Sequence, residues 1–344
     1  MRKFSFRFGF LIFLFFNLFM SPIWSQEVKK VGTAAATFLR IPVGVRGVAM
    51  GSAFVAIADD ASAMFWNPGG LARIDKISLY VDHANWLPGL DFNYFGFALP
   101  LGNAGTVGVN VTALTTQEML VTTIDQPMGT GETFDASSVA VGFAYARNLT
   151  DRFSIGANFK LIQETIFNSN AVGFVFDIGT LYDTPFKGIR LGVSIANFGT
   201  DFRIDGEDLN VRVDIAPEQE GNNQSVVGRL RTDDFDSPLI MRFGIAWDAL
   251  VTSGNRLTLS VEGINPNDNA QSVSIGGEYA LFNELLVLRG GFDELFLDDR
   301  EKGLTLGAGI NFALESKLSI SAGYAYQDFR HLDAVNRFSI ELKF

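Results

Sequence analysis

The chain is 344 residues long, with 27 basic and 38 acidic residues, two histidines and no cysteine. A net charge of −11 argues against a nucleic-acid partner, and the missing thiols exclude disulfides, thiolate metal sites and a cysteine nucleophile. Glycine (35) and phenylalanine (33) are both abundant while proline is 10, a balance that suits short strands in a membrane wall with aromatic girdles.

Residues 1–25 have the order of a secretory signal. Arg2, Lys3 and Arg7 precede an apolar stretch at 8–20, and Pro22 and Ser25 lead to an expected cleavage before Gln26. The apolar stretch is too short to cross a bilayer comfortably as a helix. Its removal takes three basic residues with it, so the net charge becomes −11 − 3 = −14.

Residues 26–76 do not alternate like strands. The stretch 46–71 is rich in small residues and carries Phe54, Val55, Ile57, Met64, Phe65 and Trp66. Asp60 can cap a short helix from Ala61, and Asn67-Pro68-Gly69-Gly70 reads as a turn. A compact apolar segment of this kind would not remain solvated, so residues 38–71 are expected to fill the lumen of the fold that follows.

From residue 77 onward, fourteen segments alternate. They are expected at 77–82, 91–99, 104–114, 136–147, 152–163, 171–184, 188–198, 237–248, 255–263, 270–281, 284–292, 303–313, 317–327 and 334–344. In one of them Phe153, Ile155, Ala157, Phe159 and Leu161 oppose Arg152, Ser154, Gly156, Asn158 and Lys160. Successive side chains point to opposite faces of a strand, so each segment has an apolar and a polar face. Lengths near the roughly 9–11 residues that cross a bilayer, in an even number, favour a barrel over a soluble sandwich.

Every second connection is short, as at 99–103, 148–151, 185–187, 282–283 and 314–316. The others, at 83–90, 115–135, 164–170, 199–236, 264–269, 293–302 and 328–333, are expected to be longer. Short periplasmic turns and longer outer loops match a barrel with both termini in the periplasm. The 199–236 connection carries ten acidic residues and four arginines, a net charge of −6. Loops of that length are functional or disordered. Its charge could steer a basic partner at the surface. The last segment ends on Phe338, Ile340, Leu342 and Phe344 in one parity; this ending resembles the closing strand of bacterial outer-membrane barrels, and the resemblance implies a barrel-assembly signal at Phe344.

The sequence implies an all-β protein: a fourteen-stranded antiparallel transmembrane β-barrel, with a signal peptide at 1–25, a hatch at 26–76 and the barrel at 77–344. The hatch resembles the N-terminal signature of the PorV/PorQ family of outer-membrane proteins and, more distantly, the long-chain fatty-acid transporter barrels. The shared pattern is Arg46-Gly47 with Met50-Gly51, then Asp59-Asp60, then Trp66-Asn67-Pro68 with Gly70; Gly69 stands where the family usually has alanine. The resemblance implies a bacterial outer-membrane protein in contact with outer-membrane lipid. It also implies a role in type IX secretion, with secreted cargo or sortase-type components as surface partners. The alternative it leaves open is a channel for hydrophobic small molecules.

Nothing else in the chain points to chemistry. The only histidines, His83 and His331, fall near the barrel seam beside Asp82 and Asp333, without a serine nucleophile or an acidic pair, and read as loop residues. Asp298-Asp299 with Glu301 lacks the spacing of a calcium loop. Gly129-Thr130-Gly131 lacks the lysine of a phosphate loop, and Gly307-Ala308-Gly309 lies within a strand. The protein is therefore expected to be non-enzymatic, with no cofactor, metal or nucleic acid.

Overall fold

The computed structural model describes residues 31–218, 225–297, 300–314 and 318–344. The signal segment, the expected start at Gln26, and Asp298 and Asp299 lie outside them.

The alternating segments form fourteen barrel strands: β1 (Ser78–Leu87), β2 (Leu90–Pro100), β3 (Thr106–Thr116), β4 (Ala136–Thr150), β5 (Phe153–Ile166), β6 (Ser169–Asp183) and β7 (Ile189–Gly199), then β8 (Ile240–Val251), β9 (Arg256–Pro266), β10 (Ser272–Leu281), β11 (Leu286–Leu295), β12 (Lys302–Leu314), β13 (Leu318–Phe329) and β14 (Val335–Lys343). Each pairs antiparallel with its neighbours, and β1 closes onto β14 with Ser78 opposite Lys343 and Asn85 opposite Asn336. β6 pairs with both β5 and β7, so the sheet has no free edge. Closure is what a bilayer demands, because an open edge in lipid leaves unpaired amides that each cost several kcal/mol.

The wall is turned inside out relative to a soluble protein. Outward-facing Phe143, Phe159, Phe174, Phe243, Leu306 and Ile340 are all exposed, Phe143 by 59% and Ile340 by 53%. Inward positions of the wall hold Asn110, Asn158, Lys160, Asp177, Arg242, Glu262 and Glu278, all buried. A continuous apolar exterior on this scale would aggregate in water and is solvated by lipid. The chain is an outer-membrane β-barrel that crosses the bilayer with fourteen strands.

Two connections differ from expectation. The linkers anticipated at 83–90 and 164–170 are tight turns, because β1, β2, β5 and β6 continue further than the apolar pattern suggested. Their outer ends carry polar outward residues such as His83, Asn93 and Gln163, so the apolar alternation fades there while the ladder continues. The long outer connections are 117–135 and 200–239. Within the latter, Asn210–Val213 pairs with Val226–Arg229, and Phe202 bridges to Phe235.

Asp208 ties this loop to the barrel rim. Its carboxylate accepts from the Asn168 amide at 2.9 Å and from Ser169 Oγ at 2.9 Å. Desolvation raises its pKa, but these hydrogen bonds lower it further, so the carboxyl titrates below its ordinary value of 3.8. A depressed carboxyl stabilises the loop above its unfolded value and loses that contribution as pH falls through the folded one. Protection of the Asn168 amide, its exchange rate relative to the intrinsic rate at each pH, is therefore expected to hold at neutral pH and to fall as the pH drops through the depressed carboxyl titration. Protection that is unchanged between neutral and acid pH would contradict this tether.

The final strand ends in backbone pairing. Phe344 donates its amide to Ile77 O at 3.0 Å and accepts from Ile77 N–H at 3.1 Å. Phe344→Asp is expected to lower the yield of heat-modifiable barrel more than the lumen change Ser274→Ala does. Equal yields would exclude a special role for the terminal aromatic.

Candidate functional site

The segment before β1 threads the barrel from end to end. At the outer end, the Ala35 amide donates to Asp236 O at 3.0 Å, the Ala36 amide to Glu164 at 3.1 Å, and Arg40 pairs with Asp268 at 2.7 Å. At the inner end Arg73 pairs with Asp183, and Asn148 donates to Ala72 O at 3.0 Å. Ala35 thus lies with the long loops, on the side opposite to the periplasmic one expected for both termini. Phe344 lies at the inner end as anticipated.

Between those ends the chain forms short turns rather than long helices: a 3₁₀ turn at Thr37–Arg40, α1 at Val45–Ala49, α2 at Ala63–Trp66, and a second 3₁₀ turn at Pro68–Arg73. Helices this short are marginal in water, so burial against the wall holds them. Phe38, Val43, Met50, Phe54, Ile57, Met64, Trp66 and Leu71 are all buried in one cluster.

What allows so close a fit is a belt of inward-facing glycines. A methyl group built on Gly156 (β5) would overlap the Pro68 carbonyl, on Gly192 (β7) the Val55 carbonyl, and on Gly276 (β10) the Met50 carbonyl. On Gly291 (β11) it would overlap the Gly51 amide, and on Gly307 (β12) the Ala49 side chain. The hatch backbone therefore touches the wall backbone directly. The abundance of glycine belongs in part to this contact, not to the girdles alone.

Each residue of the hatch signature has a place in that fit. Arg46 is the latch: it pairs with Asp59 within the hatch and with Glu278 of β10 at 2.9 Å. Gly47 lies against the Trp66 indole, where any side chain would collide with the ring. Met50 is buried, and Gly51 (φ +63) turns the chain against the backbone of Ile275 and Phe292. Asp60 accepts from the Ser62 amide at 2.9 Å in a turn rather than capping the helix, which starts at Ala63, two residues after the expected Ala61. Trp66 donates its indole N–H to Val43 O at 2.9 Å. Asn67 staples three strands of chain: its amide donates to Val55 O (2.8 Å) and Thr180 O (2.9 Å), while its oxygen accepts from Gly69 N–H (3.1 Å). Pro68 opens the 3₁₀ turn, and Gly70 abuts the Ala58 carbonyl.

The wall supplies partners that alternation alone did not single out. Glu262 of β9 accepts from the Phe54 and Val55 amides, both at 2.8 Å. Asp82 of β1 accepts from Gly44 N–H at 3.1 Å and pairs with Arg337 of β14. Asp293 of β11 accepts from Ser52 at 2.8 Å. The available signal was a charge at an inward position in mid-strand, where desolvation demands a partner. The histidines do not converge: His83 bonds to Asn93 on the outer surface, and His331 bonds to Glu301. Below the hatch, at the inner end, lies a cavity of about 790 Å³.

Residues 20–162, which hold most of the hatch and much of the first half of the barrel, match the profile of an uncharacterised protein family, UPF0164. No curated protein matches the chain. Among solved structures, the fold is similar to the Pseudomonas putida toluene transporter TodX, at a TM-score of 0.57 and 11% identity over 88% of this chain and 98% of that one. It is also similar to CymD, a monoaromatic hydrocarbon channel (TM-score 0.54, 12% identity, 88% and 97% covered). The Ralstonia pickettii toluene transporter TbuX gives a TM-score of 0.52 at 13% identity, with 88% and 97% covered. At such identities the likeness shows the fold.

Proposed function

We propose that the protein is a non-enzymatic outer-membrane channel for hydrophobic small molecules, with residues 36–74 as its movable hatch. The observation that carries this reading is the seating of the hatch. Its backbone rests on glycines and is fastened by ionic and hydrogen-bonded contacts rather than by strand pairing, so its displacement would leave the strand ladder intact. The likeness in fold to a toluene transporter and a hydrocarbon channel supports the same substrate class.

The test is toluene entry into vesicles carrying the purified barrel. Ser52 Oγ lies 2.8 Å from Asp293. In this cysteine-free chain, Ser52→Cys with Asp293→Cys would lock the hatch to the wall on oxidation. Accelerated entry that stops on oxidation and returns on reduction is the expected result. Entry no faster than in protein-free vesicles would end the channel reading, and entry unaffected by the lock would end the hatch as its gate.

A second reading, surface attachment of secreted cargo in a type IX-like system, rests on the hatch signature and on the folded acidic loop at 200–239. Such a loop would steer a basic partner and bind it in a salt-sensitive way, since exposed charges are screened beyond about 8 Å at physiological ionic strength. Replacing 205–234 with a short Gly/Ser linker tests it. Loss of a surface partner from outer-membrane pull-downs would support this role, and an unchanged partner set would remove it.

A further inference from the structure

The cavity under the hatch is lined by charged and apolar side chains together, and its arginines hold more donors than its carboxylates use. At its ceiling Glu278 is shared by three guanidinium groups: Arg46 at 2.9 Å, Arg256 at 3.0 Å and Arg289 at 2.8 Å. Arg46 and Arg256 spend their remaining donors on Asp59, Glu284 and Thr258. Arg289 does not. Its Nε donates to Glu278, and neither terminal nitrogen has a partner among the described residues, although the side chain is only 9% exposed. Unlike Arg289, two other arginines on the same lining have a buried nitrogen without a partner: Nε of Arg190, which pairs with Asp248, and Nη2 of Arg73, which pairs with Asp183. The remaining acids of the lining are engaged as well, with Glu341 on Lys343 at 3.2 Å.

A guanidinium offers five N–H donors in a planar fork that matches the geometry of an oxyanion. We infer that this inner cavity is a binding site for a compact oxyanion, a carboxylate or a phosphate, anchored by the terminal nitrogens of Arg289 and reached from the periplasm. At about 790 Å³ the cavity is larger than such an anion and within the roughly 300–1,000 Å³ of ligand sites. Val45, Ile57 and Val287 give it an apolar flank that could carry the body of an organic acid. Arg46 joins this cluster to the hatch, so an anion that draws on the same guanidinium groups would weaken the hold of Glu278 on the latch. The inference stands independently of the channel reading, because it concerns equilibrium binding and not passage.

The experiment is isothermal titration of the detergent-solubilised full barrel with inorganic phosphate and, separately, with benzoate. Saturable binding of at least one anion, weakened tenfold or more by Arg289→Met and unaffected by the outward-facing control Arg147→Met, is expected. Tighter binding of phosphate would assign the site to phosphate-bearing ligands, and tighter binding of benzoate to organic acids. The wild-type barrel supplies a second readout. Modification of arginines by phenylglyoxal, read by mass spectrometry, should be slowed at Arg289 when the bound anion is present. No saturable binding of either anion, binding that survives Arg289→Met, or unprotected Arg289 would overturn the assignment.

Discussion

Gly276→Val is expected to open the barrel without unfolding it. The new side chain has to occupy the place of the Met50 carbonyl, and wall and hatch meet there backbone to backbone. Neither side has a flexible group to move aside, so the strain falls on the docking of residues 49–52. Overpacking of a close-fitting core costs about 1–3 kcal/mol. The ladder of β10 with β9 and β11 is made of backbone hydrogen bonds and tolerates valine, a good strand former. The variant should therefore run as a heat-modifiable barrel while its vesicles become leaky to small solutes. Gly277→Val is the matched control. It faces outward, and a methyl group there meets nothing closer than Leu259 Cδ2 at 3.5 Å. Equal permeability in the two variants would mean that the belt does not seat the hatch.

That contrast between neighbouring glycines shows what could and could not be read from the chain. Parity placed Gly156 on the polar side of its strand, and the strand count, closure and β1–β14 pairing follow from the same alternation. Alternation is a local property with a period of two, so it survives without knowledge of the partner strand. The hatch contacts are not local. Nothing near Glu262 in sequence announces that it will meet the amides of Phe54 and Val55, some two hundred residues away. The two short outer turns were missed for a related reason. Apolar alternation fades towards the outer ends of these strands, as at His83 and Gln163, although backbone pairing continues there. Within the hatch, the signature residues were legible as a set, but not their division of labour: Asp59 to the latch, Asp60 to a turn, and Asn67 to three backbone groups.

The Glu262 carboxylate is the test of how far the wall holds the hatch. It is fully buried, with its Oε2 taking two amide protons and its Oε1 3.6 Å from Arg242, which is 6% exposed. Arg242 in turn lies over the rings of Phe65 and Trp66, at 5.6 and 5.5 Å. Glu262→Ala would strand two buried amides and a buried guanidinium together. Removing one partner of a buried charge pair costs about 3–5 kcal/mol, and each stranded amide adds roughly 1–3 kcal/mol. Losses of that size exceed what the remaining latches can offset, so residues 45–58 should leave the wall. Glu262→Gln keeps an oxygen for the two amides and loses only the charge, so it should fall between wild type and alanine. Adding Arg242→Met to Glu262→Gln removes the unmatched cation while keeping apolar contact with the two rings, and should recover part of the loss. The readouts are tryptic cleavage at Arg46 and hydrogen exchange at the Phe54 and Val55 amides. The expected order of protection is wild type, then the double variant, then Glu262→Gln, then Glu262→Ala. Full protection in Glu262→Ala would show that apolar packing alone seats the hatch and that the buried carboxylate contributes nothing to its hold.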